Sequence, residues 1–279
     1  MKLLKEAGYA DEVSEAGSAF YSSLYMATVE DNTREFLERF DRAFIFTVSP
    51  DRIPDIKKTI CETTTVVTIP PPGVSTHAAE FRFKQLDPEL TMPSPLLDIP
   101  PAHRGKAVML LAQSGYSPGP APLITPLIAL HPGSGAKRKC WPLENYFELM
   151  KILAKNFDPF FIILAGPAEE PSIRTRIKQF IEAFFEDRKK SLFVSNEELI
   201  SVAAMLRQCR LYIGNDSGIT HLAGAAGSAS IALFGPTDPS LWRPQGRNVH
   251  VVSPPFPGGP ISAITVAEVY EKAREVLPD

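Results

Sequence analysis

Residues 210–221 read RLYIGNDSGITH: an apolar run, then a glycine, an amide, a carboxylate, a hydroxyl, a second glycine and, at the end, a histidine. RLYIG (210–214) predicts a short buried strand, and GITHLAGAAG (218–227) predicts a short helix directly after it. The same alternation repeats on both sides. LIALH (127–131), FFIILAG (160–166), SLFV (191–194) and ASIALF (229–234) are further apolar runs of strand length. Between them, WPLENYFELMKILAKNF (141–157) sets Phe147, Met150 and Leu153 or Ala154 at helical spacing, with Pro142 suited to a first turn. A charged helical stretch follows FFIILAG to about Arg188, and EELISVAAMLRQC (197–209) turns Leu199, Val202, Ala203 and Leu206 inward. Short apolar strands separated by helices imply an α/β fold with a parallel sheet covered on both faces.

On that scaffold the unusual residues fall on one edge. HPGSGAKRK, AGPAEE, SNEE, GNDSGITH and FGPTDP follow the five strands in turn, at the carboxyl edge where open α/β sheets bind ligands. The helix-to-strand connections AKNFDPF, DRKK, QCR and GSAS are plain turns. The asymmetry points to a ligand site.

Composition narrows the ligand's class. The 279 residues suffice for one large domain or two ordinary ones, and 44% apolar content provides a sizeable core. A net charge of −3 gives no reason to expect nucleic acid as a partner, and leaves an anionic ligand to local groups. Three scattered cysteines, Cys61, Cys140 and Cys209, have no metal-ligand spacing and suit a reducing cytosol. No apolar run reaches membrane-spanning length and the N-terminus has no signal-type core, so the expectation is a cytoplasmic soluble protein. Proline, at 27 residues, clusters at 69–73, 92–103, 117–126 and 253–260; the third cluster makes a natural linker between a first domain, 1–122, and a second, 123–279.

The loop chemistry suits a phosphate. A helix starting near Ser217 or Gly218 turns free N–H groups and a positive dipole end toward the crevice. Gly218 permits close backbone approach, and His221 can add a donor. Asp216 can accept from sugar hydroxyls; its bland alternative is a helix cap, and that of His221 a core histidine. In HPGSGAKRK, Ser134 and the glycines, Gly135 among them, offer a hydroxyl and amides beside Lys137, Arg138 and Lys139, though a solvated basic turn has the same look. The stretch is neither G-x-G-x-x-G nor a Walker loop. Glu169 or Glu170 can accept from ribose hydroxyls or cap the next helix, and FGPTDP reads best as a rigid turn. There is no D-x-D, so a diphosphate here would be neutralised by helix ends and Lys/Arg without a metal. Ser217 has no obvious acid partner arranged with His221, which argues against a hydrolase triad.

IALHPGSGAKRKCWPLENYFELMKIL, LYIGNDSGITHLAGAAG and IALFGPTDPSLW, from about 127 to 246, resemble the glycosyltransferase family 9 enzymes, the ADP-heptose:lipopolysaccharide heptosyltransferases. The resemblance implies a GT-B fold of two Rossmann-like domains, with the donor mostly on the second. It also implies a final helix (roughly 265–276) packed back toward the first. It assigns Ser134 to the diphosphate, Lys139 to phosphate and sugar, Glu169, with Glu170 as the alternative, to ribose and Asp216 to sugar hydroxyls. Ser217, Gly218, Ile219 and His221 line the phosphate pocket, and Lys139 and Asp216 are the catalytic candidates. The implied reaction is inverting, metal-independent transfer of heptose from ADP-heptose to a lipopolysaccharide core acceptor, with no cofactor. A lipid-linked acceptor would bring the protein to the inner membrane face, although no basic amphipathic helix stands out as an anchor.

The first half departs from the family. Its members open with a strand and a Gly-Asp loop carrying the proposed general base, whereas residues 1–20 resemble a segment downstream of that unit. AFIFTV (43–48) and TTVVTI (64–69) are its strands, with helices at about 33–41, 51–60 and 76–86. A misplaced start, a shortened chain or a degenerate protein would each explain this. His77 is the nearest substitute base, but nothing positions it. The expectation is an N-terminally short glycosyltransferase that binds nucleotide diphosphate and turns over poorly. The alternative is a nucleotide-sugar-binding module without catalysis; a dinucleotide oxidoreductase is disfavoured by the missing G-x-G-x-x-G.

Overall fold

The structure, a computed structural model, describes residues 2–13, 30–48, 62–89, 91–118, 125–166, 169–185 and 190–277. It divides into two compact units, residues 11–93 and residues 94–279 together with 1–10.

In the smaller unit, α2 (Asp31–Leu37) precedes the parallel pair β1 (Arg42–Thr47) and β2 (Glu62–Val67), followed by α3 (Ala78–Leu86). Gln85 on α3 completes the edge of β2: its Oε1 accepts from Val67 N–H at 2.9 Å and its Nε2 donates to Val67 O at 3.0 Å. His77 is the N-cap of α3, with Nδ1 accepting from Ala79 N–H at 3.1 Å, so the candidate base is a capping residue. The helix expected at 51–60 lies outside the described residues.

The larger unit opens with α1 (Lys2–Glu6) and α4 (Pro101–Gln113). Then β3 (Leu127–His131), α5 (Leu143–Phe157), β4 (Phe160–Ala165), α6 (Pro171–Phe185) and β5 (Ser191–Ser195) alternate. The chain continues through α7 (Leu199–Leu206), β6 (Leu211–Asn215), α8 (Gly218–Ala226), β7 (Ser230–Leu233), α9 (Pro239–Trp242), β8 (Val249–Val252) and α10 (Val266–Val276). Strands β5-β4-β3-β6-β7-β8 form one parallel sheet in that order. The chain winds outward from β3 to β5, then returns to β6 and winds the other way. Order therefore reverses between β3 and β6, where Ile128 pairs with Leu211, and this switch point fixes where a ligand crevice must open.

Strand side chains alternate between two cores. Ile128, Leu130, Phe161 and Ile163 pack under α5, α6 and α10, whereas Leu127, Ala129, Phe160 and Ile162 pack under α4, α7 and α8. In α5 the buried stripe is Leu143, Tyr146, Leu149, Met150 and Leu153, the spacing of one helical face; Phe147 packs at its margin. The helix stops at Asp158, whose backbone is left-handed at φ 46°.

The α/β class and parallel sheets agree with the sequence reading, with three differences. The compact units divide between Pro93 and Ser94, upstream of the 122/123 boundary expected from the proline cluster. The reason is α4, a helix that starts on Pro101 inside another proline cluster and buries Ala107 and Leu111 beside Leu97 and Ile99 in the second core. A sixth strand, β8, was unanticipated. Leu199, expected inward, is 46% exposed. At the C-terminus, α10 packs on α5, β7 and β8 of its own unit. Among the described residues no helix is long and apolar enough to cross a membrane.

Candidate functional site

Asp216, the first residue past β6, gathers the switch-point loops. Its Oδ2 accepts from Lys139 Nζ at 2.7 Å and from Thr237 Oγ1 at 2.6 Å, and its backbone carbonyl accepts from Ser134 Oγ at 2.8 Å. Lys139 comes from a 3-10 turn (Lys137–Lys139) after β3, and Thr237 from the loop after β7. The carboxylate is only 8% exposed, yet it is paired and hydrogen-bonded, the condition under which a charge can be buried. The cap reading of Asp216 fails: the N-cap of α8 is Ser217, with no side-chain cap bond.

Asn215, fully buried, holds the scaffold beneath. Its Nδ2 donates to Pro132 O at 2.7 Å; its Oδ1 accepts from Trp141 N–H at 3.1 Å and from Tyr146 O–H at 3.0 Å. Burial pushes the Tyr146 phenol well above its ordinary value, so it remains a donor. Trp141 then donates its ring N–H to Ile264 O at 2.9 Å, tying the β3 loop to the turn before α10.

Beside this cluster lies a cavity of about 470 Å³. Ser134, Gly135, Glu169, Ser217, Gly218, Ile219 and His221, all singled out in the sequence, line it. Lys139 and Asp216 stand outside that lining, paired to each other. The amides of Thr220 and His221 both donate to Ser217 O, and those of Gly218 and Ile219 have no acceptor among the described residues. The N-terminus of α8 therefore presents two amides and the helix dipole to the cavity. Leu199 and the α8 side chains Ile219, Leu222 and Ala225 make part of the lining apolar.

Glu169 and Glu170 separate cleanly. Glu170 is exposed at the start of α6, where its carbonyl accepts from the amides of Ile173 and Arg174. Glu169 is buried: Oε1 lies 3.3 Å from His131 Nε2, and Oε2 accepts from Gly166 N–H. A Cβ on Gly133 would overlap this carboxylate, so the glycine makes its seat. Burial alone would raise the Glu169 pKa; the His131 ring, by hydrogen bond and charge, and the Gly166 and Glu169 amides hold it below the ordinary carboxylate value.

His131 and Thr237 had no assigned role in the sequence. His131 closes a buried strand, where a titratable residue at the carboxyl edge was the available signal. Thr237 was read as part of a rigid turn; Asp238 fits that reading, accepting from Ser240 N–H at 2.8 Å as N-cap of α9.

Comparison with known proteins places this architecture. The model of glycosyltransferase family 9 (heptosyltransferase) matches residues 79–262. The lipooligosaccharide heptosyltransferase 2 of Haemophilus ducreyi is 29% identical over 130 residues, 46% of this chain and 36% of that protein. The lipopolysaccharide heptosyltransferase 1 of Escherichia coli is 29% identical over 137 residues, 49% of this chain and 39% of that protein. The matched part is thus well under half the length of either curated relative. Among solved structures, the E. coli ADP-heptose LPS heptosyltransferase II aligns over 88% of this chain and 79% of its own, at 18% identity and TM-score 0.64. The Veillonella parvula family 9 glycosyl transferase aligns over 79% and 64%, at 20% identity and TM-score 0.62. These neighbours share the GT-B fold. With the family model covering well over half of the sequence, the chain belongs to glycosyltransferase family 9.

Proposed function

We propose that the cavity binds the nucleotide of an ADP-sugar of heptose type, and that the protein transfers the sugar to a lipopolysaccharide core acceptor with inversion and without a metal ion. One observation carries the reading. At the switch point, the Gly218 and Ile219 amides of α8, which have no acceptor among the described residues, face a cavity that Ser134 and Gly135 also line, and Ser134 and Lys139 both meet Asp216 beside it, a seat suited to a diphosphate. The apolar lining of Leu199, Ile219, Leu222 and Ala225 supports an aromatic base in the same cavity, and family membership supports adenine and heptose.

In this reading the acceptor hydroxyl attacks the anomeric carbon from the face away from the diphosphate, its proton passes to a base, and the bond to the diphosphate oxygen breaks. The charge that develops on the leaving ADP falls on Lys139, Ser134 and the α8 amides, whose preorganisation is the catalytic contribution of this unit. Asp216, engaged by Lys139 and Thr237, accepts from sugar hydroxyls and orients the donor rather than serving as the base. A peripheral encounter with the inner membrane face follows from a lipid-linked acceptor.

The test is transfer from ADP-heptose to a heptose-free core acceptor, followed by mass spectrometry with and without chelator. A chelator-insensitive mass gain of one heptose is expected. ADP binding without any transfer would reduce the protein to a nucleotide-sugar-binding module, and transfer that stops with chelator would overturn the metal-free mechanism.

A further inference from the structure

His131 is 4% exposed and sits between two other groups that line the cavity, Glu169 and Ser217. Its Nε2 lies 3.3 Å from Glu169 Oε1 and its Nδ1 lies 3.3 Å from Ser217 Oγ. We propose that His131 is a positioning residue for the donor: it fixes the ribose-facing carboxylate and the phosphate-facing hydroxyl relative to each other, so that both ends of a nucleoside diphosphate are engaged at once. The inference rests on the nucleotide-sugar reading of the cavity.

The hydrogen-bond inventory supports it. An ionised carboxylate offers about four acceptor sites; Glu169 uses one on His131 and one on Gly166 N–H, leaving capacity that faces the cavity. On the other side, Thr220 must spend its one proton on the Asn215 carbonyl, which can only accept. Tyr212 O–H, kept protonated by burial, then donates to Thr220 Oγ1 at 2.9 Å. The Ser217 proton is left with four destinations: Thr220 at 3.1 Å, the Tyr212 phenol oxygen, His131 Nδ1, or a ligand in the cavity. The ring thus decides where the hydroxyl points.

Two substitutions separate the ring's two ends. His131→Gln places an amide near the position of Nε2 and keeps the Glu169 link; His131→Asn ends near Nδ1 and keeps the Ser217 link. The full chain is titrated calorimetrically with ADP, 2′,3′-dideoxy-ADP and inorganic pyrophosphate, with near-UV circular dichroism reporting the fold. The wild type is expected to prefer ADP over the dideoxy analogue by about tenfold, the size of one charge-assisted hydrogen bond. His131→Gln keeps that preference and loses about tenfold in pyrophosphate affinity, while His131→Asn keeps pyrophosphate and drops the preference to within about twofold. If one variant fails to fold, the other's one-sided loss still decides. Equal weakening of all three ligands, or no change, would mean that His131 only packs and would overturn the inference while leaving the nucleotide reading intact. A wild type that binds no ADP overturns that reading and the inference with it.

Discussion

At the scale of single residues, the site is a set of buried polar groups, each with a named partner, and Glu169 is the most exacting. Its pKa is lower in the folded chain than its ordinary value of 4.5. The folded state therefore holds the proton less tightly than the unfolded chain. The carboxylate's contribution is complete above the ordinary value and is lost as pH falls through the depressed folded one. The thermal midpoint of the wild type should thus fall more steeply on acidification than that of Glu169→Gln; parallel acid limbs would show that the His131 contact does not favour the ionised form. Such residues were legible in sequence only where their type was conspicuous. Ser134, Glu169 and Ser217 are polar residues directly after apolar runs. His131 was counted as the end of LIALH, and Thr237 as part of a proline-flanked turn, because neither periodicity nor turn chemistry reports which loops meet across a sheet.

Between elements, the carboxyl edge is held by contacts that cross strands. Asn215 ties β6 to the loop after β3 and to α5, so Asn215→Ala would leave the Trp141 N–H and the Pro132 carbonyl without their partner and the Tyr146 O–H with only the His131 carbonyl at 3.3 Å. At about 1–3 kcal/mol for each buried group left unpaired, a loss of at least about 2 kcal/mol in urea unfolding is expected. A loss below about 1 kcal/mol would mean water replaces the side chain. Gly235, after β7, admits the 3-10 turn at Ile261–Ala263: a Cβ there would stand 2.6 Å from Ile261 Cβ and 2.8 Å from its backbone nitrogen. Gly235→Ala should cost about 1–3 kcal/mol through overpacking, read as a lower thermal midpoint. The five strands from 127 to 234 were legible because both faces of a central parallel strand are apolar. VHVV, with three half-buried residues on the sheet's edge, and α4, hidden behind Pro100 and Pro101, had weaker patterns.

For the whole molecule, the central question is how the chain divides and what the larger unit binds. Because α4 and the strap before it bury Leu97, Ile99 and Leu111 on the second core, each worth roughly 1.5–3 kcal/mol, a fragment starting at residue 94 should melt higher than one starting at 123. Equal melting would restore the later boundary. The proline content that suggested 122/123 marks where the backbone cannot pair; it carries no information on which core a neighbouring helix joins. The central claim, a diphosphate seat at the β3/β6 switch point, is tested most directly by calorimetric titration of the full chain with ADP, UDP and GDP, repeated for Lys139→Ala. Preferential ADP binding that weakens about tenfold or more in the variant is expected, the loss of one charge-assisted contact. Failure of all three nucleotides to bind, or an ADP affinity indifferent to Lys139, would contradict it, whereas equal binding of the three would keep the seat and overturn only the adenine preference.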